Sequence, residues 1–508
     1  MTQLDAWTDR PAGDEAVDQE PGPATRAPAR VWARIRPVHV GLAILFLGAL
    51  WVAATPINDI DSYWHVEIGR QILARHSLDG LGRHWLGVGA PNWRTSQWLS
   101  EVGMYLAVDR FGWLALPALR LLIAAALFAV YAVSLVRRRH PIAAFVIVFL
   151  LVVTLEPLLQ DRPATGSLVF LAGLGAACER LWTTGRRPAP LLVAVACLVW
   201  AQLHGLWVLA PAAFLLVALG GVLDRRTRPP GQVSGALVCA AAACAGLLNP
   251  QGPESFLLPL RFRNSAETSI NEWAPTSFTM SLTVVWGLIL CLLVLAWVRS
   301  SRRVRATELL WVFVWTAFGL LALRNVGAAA LLTAPVALRA LETSLGPRLR
   351  SSPVGSRPEG LVLAGLLAVV VLGGGILVGS SLGRVDPLRE TPAIAISRHL
   401  ATVDRPLRIW NGYNVSGSLI AFGGGGTGHL RLVIDGRSDL WGGGYIAKVT
   451  GAQRLAGDWR RTLEDFHPDA VLLGRETPLV VYLEQAEHWR VAEEDREYVL
   501  LVPPQSSL

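Results

Sequence analysis

Lysine is almost missing from this chain: among 46 basic residues in 508 positions the single lysine is Lys448, and the rest are arginine. Charge of either sign is sparse, at 17% against 52% hydrophobic residues, and mean hydropathy is +0.42. A soluble chain of this length would divide into several domains, whereas apolar runs of about 15 to 23 residues recur here, as in a polytopic helical membrane protein. The five cysteines (Cys178, Cys197, Cys239, Cys244 and Cys291) all fall in apolar segments, which excludes a disulfide framework and a cysteine metal site. No zinc-binding histidine pattern or nucleophile elbow occurs. The net charge of +8 could suggest nucleic acid, but the basic residues sit in short loops between apolar runs, where they set topology, so no nucleic-acid partner is expected. Arginine with abundant Ala, Gly and Pro suggests a GC-rich bacterial genome.

The apolar segments fall near 38–55, 113–136, 141–155, 164–183, 190–203, 206–223, 232–248, 279–298, 308–323, 326–342 and 360–382. With the N-terminus inside, strict alternation puts Arg137 to Arg139, Arg186-Arg187, Arg225-Arg226-Arg228, Arg302-Arg303-Arg305 and Arg348 with Arg350 on the cytoplasmic side. Every inner loop is then basic, as topology demands. About 11 transmembrane helices and an external C-terminus follow, with the bilayer of a bacterial plasma membrane as surroundings. Residues 1–37, acidic and then arginine-bearing, read as a disordered cytoplasmic tail with a positive anchor, not a cleaved signal peptide. The transmembrane domain spans 38–382 and carries a large first external loop, 57–112.

That loop holds Pro56 to Gly69, which places Asp59, Asp61, His65 and Glu67 within nine positions. Ile60, Trp64, Ile68 and Ile72 recur at i, i+4, i+8 and i+12, one stripe of a helix that could lie in the membrane interface with its polar face upward. Asp59 fits its N-cap, and Asp61 and His65 share a face away from the stripe. A second amphipathic helix is expected from Trp98, Val102, Tyr105 and Leu106, with Gln97 and Glu101 on another face. Alternation also puts Glu156 to Arg162, His204, Asn249 to Trp273 and Arg324-Asn325 outside, so polar side chains recur at every external turn.

Beyond the last apolar run, residues 383–508 alternate short β-type runs (Leu407–Trp410, Leu430–Ile434, Ala470–Leu473, Tyr498–Val502) with helical stretches near 391–402, 447–465 and 477–488. This is the pattern of an extracytoplasmic α/β domain. Its glycine runs, Gly423 to Gly426 and Gly442 to Gly444, lack the spacing of a P-loop or dinucleotide fingerprint and read as loops.

Two carboxylates at Asp59 and Asp61 suit general-base work on a hydroxyl or the holding of one divalent cation, magnesium or manganese. Solvated acids on a capped helix are the plainer reading, but juxtamembrane ionisable clusters are usually functional. Arg162 and Arg324 stand where spans meet the outer face and offer forks for a lipid phosphate, or snorkel at helix ends. His204 interrupts an apolar run, as a substrate contact or a satisfied helix break. Glu272 and Trp273 supply an acid and a ring for a sugar, or a solvated loop with an interfacial tryptophan.

Asp-Ile-Asp-Ser-Tyr-Trp-His-Val-Glu-Ile-Gly (59–69), followed by Trp93 to Glu101, resembles the first external loop of GT-C-type integral membrane glycosyltransferases. More closely, it resembles a large bacterial branch in which an Asp-x-Asp-x-x-Trp-His-x-x-x-Gly loop precedes a Trp-x-x-x-x-Trp-Leu-Ser-Glu helix. Asp161-Arg162-Pro163, Trp200 to Gly205, Leu248 to Gly252, Glu272-Trp273, Arg324-Asn325 and Ile434 to Leu440 extend the resemblance in order over most of 40–508. It implies a GT-C-like fold, a polyprenyl-phosphate sugar donor and a glycan, lipid or protein acceptor on the outer face. An acidic residue of the first external loop then acts as base or metal ligand, a role that falls on Asp61 or Asp59. In an inverting transfer Arg162 and Arg324 would hold the leaving phosphate. His65, Glu67, Gln97, Trp98, Glu101, His204, Glu272 and Trp273 complete the candidate substrate contacts. A transporter or flippase of a lipid-linked intermediate would use the same arginines, but should show inverted repeats, which are not evident. A non-catalytic envelope-assembly scaffold is the third reading.

Overall fold

Proline at the first helical position opens several of the apolar helices: Pro141, Pro163 and Pro190 spend no hydrogen bond there and pre-set the backbone. The computed structural model describes residues 37–90, 93–136, 140–256, 271–345 and 357–506. The tail to residue 36, Asn92, Arg137 to Arg139, Arg348 and Arg350 lie outside them. Apolar helices are α1 (Pro37–Val52), α4 (Ala115–Val136), α5 (Pro141–Leu155), α6 (Pro163–Thr184), α7 (Pro190–Leu203), α8 (Leu209–Leu223), α9 (Gln232–Ala243), α10 (Ser281–Arg299), α11 (Ala306–Leu321), α12 (Val326–Leu345) and α13 (Arg357–Arg384). Among the described residues, four stretches are long and apolar enough to cross a membrane by length and composition: Gly205–Leu223, Ser281–Arg299, Leu323–Leu345 and Leu361–Arg384. Shorter apolar helices accompany them, and α12, buried along Val326 to Leu338, is packed by α5, α6, α10 and α11.

Between α1 and α4 the first long loop contains α2 (Ser62–Arg75) and α3 (Trp98–Phe111). The two helices cross at Gly69, where a Cβ would collide with the carbonyl of Glu101, so only glycine permits this approach.

After α13 come α14 (Ile394–Leu400), β1 (Leu407–Asn411), α15 (Ser416–Phe422), β2 (Leu430–Leu432), α16 (Ser438–Gln453), α17 (Trp459–Phe466), β3 (Ala470–Gly474), α18 (Pro478–Gln485), β4 (Arg490–Glu494) and β5 (Tyr498–Val502). The sheet order is β2-β1-β3-β5-β4. β1 runs parallel to β2 and β3, with Leu407 opposite Leu430 and Ile409 opposite Ala470; β3–β5 and β5–β4 are antiparallel. Both faces are covered, which is why β3 reads Ala-Val-Leu-Leu-Gly with no polar alternation.

The cover differs on the two faces. Trp410, Val471, Leu473 and Leu501 pack on Ile446, Phe466, Leu479 and Leu483 from α16 to α18. Leu407, Ile409, Leu432, Leu472 and Leu500 pack instead on Trp64, Ile68 and Ile72 of α2 and on Trp85. The loop also extends the sheet: Gly87 N donates to Leu432 O and Leu432 N to Trp85 O, both at 2.8 Å, beside edge strand β2. The first long loop and the sheet are thus one hydrophobic core.

This corrects two expectations. The Trp64–Ile68–Ile72 stripe is buried under the sheet and does not face a membrane interface. In α3 Val102 is buried and Trp98 and Tyr105 are half-buried as the stripe requires, but Leu106 is exposed and Glu101 and Met104 are buried instead, because Glu101 faces α2.

Candidate active site

The turn leading into α2 is held by a buried ion pair. Arg120 of α4 donates to Asp161 Oδ2 at 2.6 Å and to the carbonyls of Thr55 and Pro56. Asn58 N donates to the same Asp161 oxygen at 3.0 Å, and Ser62 Oγ to the Asp161 carbonyl at 2.6 Å. Arg120 escaped the sequence reading although its signal was present: an arginine inside the apolar run 113–136 needs a partner.

On this frame Asp61, not Asp59, occupies the N-cap position of α2. Asp59 Oδ1 accepts from the Asp61 amide at 2.8 Å, closing a local turn that leaves the helix start to the next acid. Asp59 Oδ2 lies 3.4 Å from Arg162 Nε. Arg162 Nη2 donates to Glu272 Oε2 at 3.0 Å, and Arg324 Nη1 to Glu272 Oε1 at 3.3 Å, with the Arg324 guanidinium 4.3 Å above the Trp273 ring. Four alternating charges therefore run Asp59–Arg162–Glu272–Arg324. Burial works against ionisation of Glu272, but Arg324 and Arg162 outweigh it and hold its carboxyl below the ordinary value.

Asp61 Oδ1 accepts from Trp64 Nε1 at 2.9 Å. Gly436, arriving from the end of β2, lies so close that a Cβ would strike both Asp61 Oδ1 and Trp64 Nε1. Burial, and then the Asp59 charge, push the Asp61 carboxyl up to about 8. These groups open into a cleft of about 680 Å³, with Asp59, Asp61, Gln160, Arg162 and Glu272 on one side and Tyr413, Ser438, Gln453, Arg454 and Tyr498 on the other. A second groove of about 500 Å³ runs between α3, α4 and α6, lined mainly by apolar side chains such as Leu116, Leu122, Ile123, Val169 and Phe170. The cleft and the groove share Gln160 and Arg162.

The remaining expected residues are drawn away from the cleft. His65 Nδ1 and Glu101 Oε1 pair at 3.0 Å in the interior between α2 and α3. Glu67 accepts from Arg70 and Gln71, and Arg70 and His84 reach the Gly426 carbonyl, so this glycine run packs on α2. Gln97 N caps onto Thr95 Oγ1, and Trp98 Nε1 donates to Gln202 at 2.8 Å. His204 is buried against Ser167 and caps the turn after it, the satisfied helix break. Trp273 lies under Arg324 and does not line the cleft.

The Ile434 to Leu440 motif fastens the sheet to the loop. Asp435, held ionised against its burial by Arg437, bonds Trp85 and Trp441, and Arg437 also donates to the Leu81 and Gly82 carbonyls. Asp439 accepts from Trp93 at 2.8 Å. Tyr413 OH donates to the Gly436 carbonyl at 2.7 Å.

This bundle of apolar helices, with its first long loop packed on the C-terminal sheet beside a charged cleft, has a GT-C-like fold. No protein-family model and no curated protein matches the chain. The likeness is to solved structures. The archaeal oligosaccharyltransferase AglB from Archaeoglobus fulgidus, in complex with an inhibitory peptide and a dolichol-phosphate, is 12% identical with a TM-score of 0.50 over 88% of this chain and 70% of that one. ArnT from Cupriavidus metallidurans bound to undecaprenyl phosphate is 16% identical (TM-score 0.47; 91% and 97% covered), and its apo state 14% (0.48; 90% and 97%).

Proposed function

We propose that this chain is an inverting glycosyltransferase that moves a sugar from a polyprenyl-phosphate donor to an acceptor on the outer face of a bacterial plasma membrane. The observation that carries this reading is the junction at Arg162: an apolar groove meets a charged cleft that holds Asp61. AglB and ArnT are recorded with dolichol-phosphate and undecaprenyl phosphate, the class of lipid proposed here.

The isoprenoid would lie along Leu122, Ile123 and Phe170 and bring its phosphate to Arg162 and Arg324. In the resting chain the Glu272 carboxylate occupies both arginines, an anion where the phosphate would sit. Asp61 takes the proton of an acceptor hydroxyl, and the oxygen attacks the anomeric carbon. The bond from that carbon to the phosphate oxygen breaks with its electron pair on the phosphate, and the two arginines stabilise the charge that develops. A single displacement inverts the anomeric centre.

A divalent cation on Asp59 and Asp61 finds a poor donor set. Both Asp59 oxygens are engaged, by the Asp61 amide and by Arg162. Among the described residues no group of three or more His, Cys, Asp or Glu side chains could hold a metal ion.

Arg162→Gln tests the junction. Its affinity for undecaprenyl phosphate, measured on purified protein in nanodiscs, is expected to fall by ~10-fold or more, the worth of a charge-assisted contact. Unchanged binding would remove the phosphate from this site.

A further inference from the structure

The cleft has a second wall, built by the carboxyl ends of parallel strands. Gly412 to Asn414 leave β1, Gly474 and Thr477 follow β3, and Gln453 and Arg454 close α16. In an α/β sheet this edge is where ligands settle, because the strands stop and the loops diverge. Its polar side chains are hydroxyls and amides (Asn414, Thr450, Gln453, Thr477), with Ile446, Leu473 and the Tyr498 ring beside them. They suit the hydroxyls and the C–H faces of sugars.

One cation stands among them. Arg454 is exposed at the C-cap of α16 and pairs with no acidic side chain among the described residues. Arg162 and Arg324, by contrast, are both engaged by Glu272. A free guanidinium fork in a hydroxyl-lined wall calls for an anion carried on a sugar.

We propose that this wall is the acceptor subsite and that the acceptor is an acidic glycan, whose carboxylate or phosphate substituent is bound by Arg454. The inference rests on the transferase reading and deepens it. A hydroxyl of the bound glycan enters the cleft that Asp61 lines, while the donor enters from the apolar groove on the far side of Arg162.

The test measures glycan binding to the full-length protein in nanodiscs, without donor lipid. The probes are an oligogalacturonide, a mannose-phosphate-bearing oligosaccharide and a neutral maltooligosaccharide. At least one acidic probe is expected to bind ~10-fold more tightly than the neutral one, an advantage that shrinks with salt and disappears in Arg454→Gln. The probe that shows it identifies carboxylate or phosphate as the substituent. Tyr498→Ala should weaken acidic and neutral probes alike. Equal affinity for all three probes, or an acidic preference that survives Arg454→Gln, would overturn the inference. Undecaprenyl-phosphate binding is read separately: its loss with glycan binding intact counts against the donor reading alone, and the converse against this inference alone.

Discussion

His65 Nδ1 and Glu101 Oε1 lie 3.0 Å apart, the distance of an ion pair, yet burial strips both of charge. It pushes the Glu101 carboxyl up to about 8 and the His65 imidazole down to about 3. Near neutral pH the contact is a protonated carboxyl donating to a neutral ring. The linkage runs in opposite directions for the two groups. Stability from Glu101 is complete below its ordinary value and is lost as pH rises toward 8; that from His65 is complete above its ordinary value and is lost as pH falls toward 3. Glu101→Gln keeps a donor for the ring and removes the proton. The wild type's lead in stability over this variant should shrink steadily from pH 5 to 8, by up to ~1.4 kcal/mol per pH unit, and its lead in Tm should shrink with it. Parallel Tm curves would contradict a protonated Glu101. The sequence marked both residues as polar and clustered. Spacing could not tell whether they faced solvent, substrate or each other, because 36 positions separate them.

At the scale of elements, α2 was legible as a helix with an apolar stripe, but its partner was not. A stripe reports that a face is buried, not by what, and here a sheet more than 300 residues onward covers it, as the Trp85–Asp435 bond at a separation of 350 illustrates. β1, β2, β3 and β5 followed from their apolar runs. β4, Arg490–Glu494, did not, since an exposed edge strand of charged residues carries no apolar signal and pairs through its backbone. The contact that joins these elements at the candidate site is Gly436 on Asp61 and Trp64. Gly436→Ala should part Trp64 from Asp61 and lower transfer more than ~10-fold while the protein stays folded, since the clash is local. The readouts are turnover and Tm together. Wild-type turnover would mean that this close approach has no part in the chemistry.

For the molecule as a whole, the membrane helices were written plainly in hydropathy, and each described apolar helix falls on an apolar run of the sequence. The union of loop and sheet, and the meeting of groove and cleft at Arg162, were not, because they are products of packing between distant segments. The same packing sorts the candidates that the resemblance had grouped together. Asp59, Asp61, Arg162 and Glu272 converge with Arg324 beside them, while His65, Glu67, Glu101 and His204 hold the frame. On the proposed function a donor lipid and an acceptor would then approach Asp61 from opposite sides, in a cleft lined by both parts of the molecule.

The most direct test of this account is transfer of label from a panel of radiolabelled polyprenyl-phosphate sugars, followed in nanodiscs for the wild type and Asp61→Asn across pH 5 to 9. The wild type should transfer from at least one donor, with a rate that climbs as Asp61 ionises toward pH 8 and then levels. Asp61→Asn, folded and still binding undecaprenyl phosphate, should lose at least ~100-fold of that rate and the rising limb with it. Wild-type transfer rates in Asp61→Asn, or a folded wild type that moves no sugar from any donor, would contradict it.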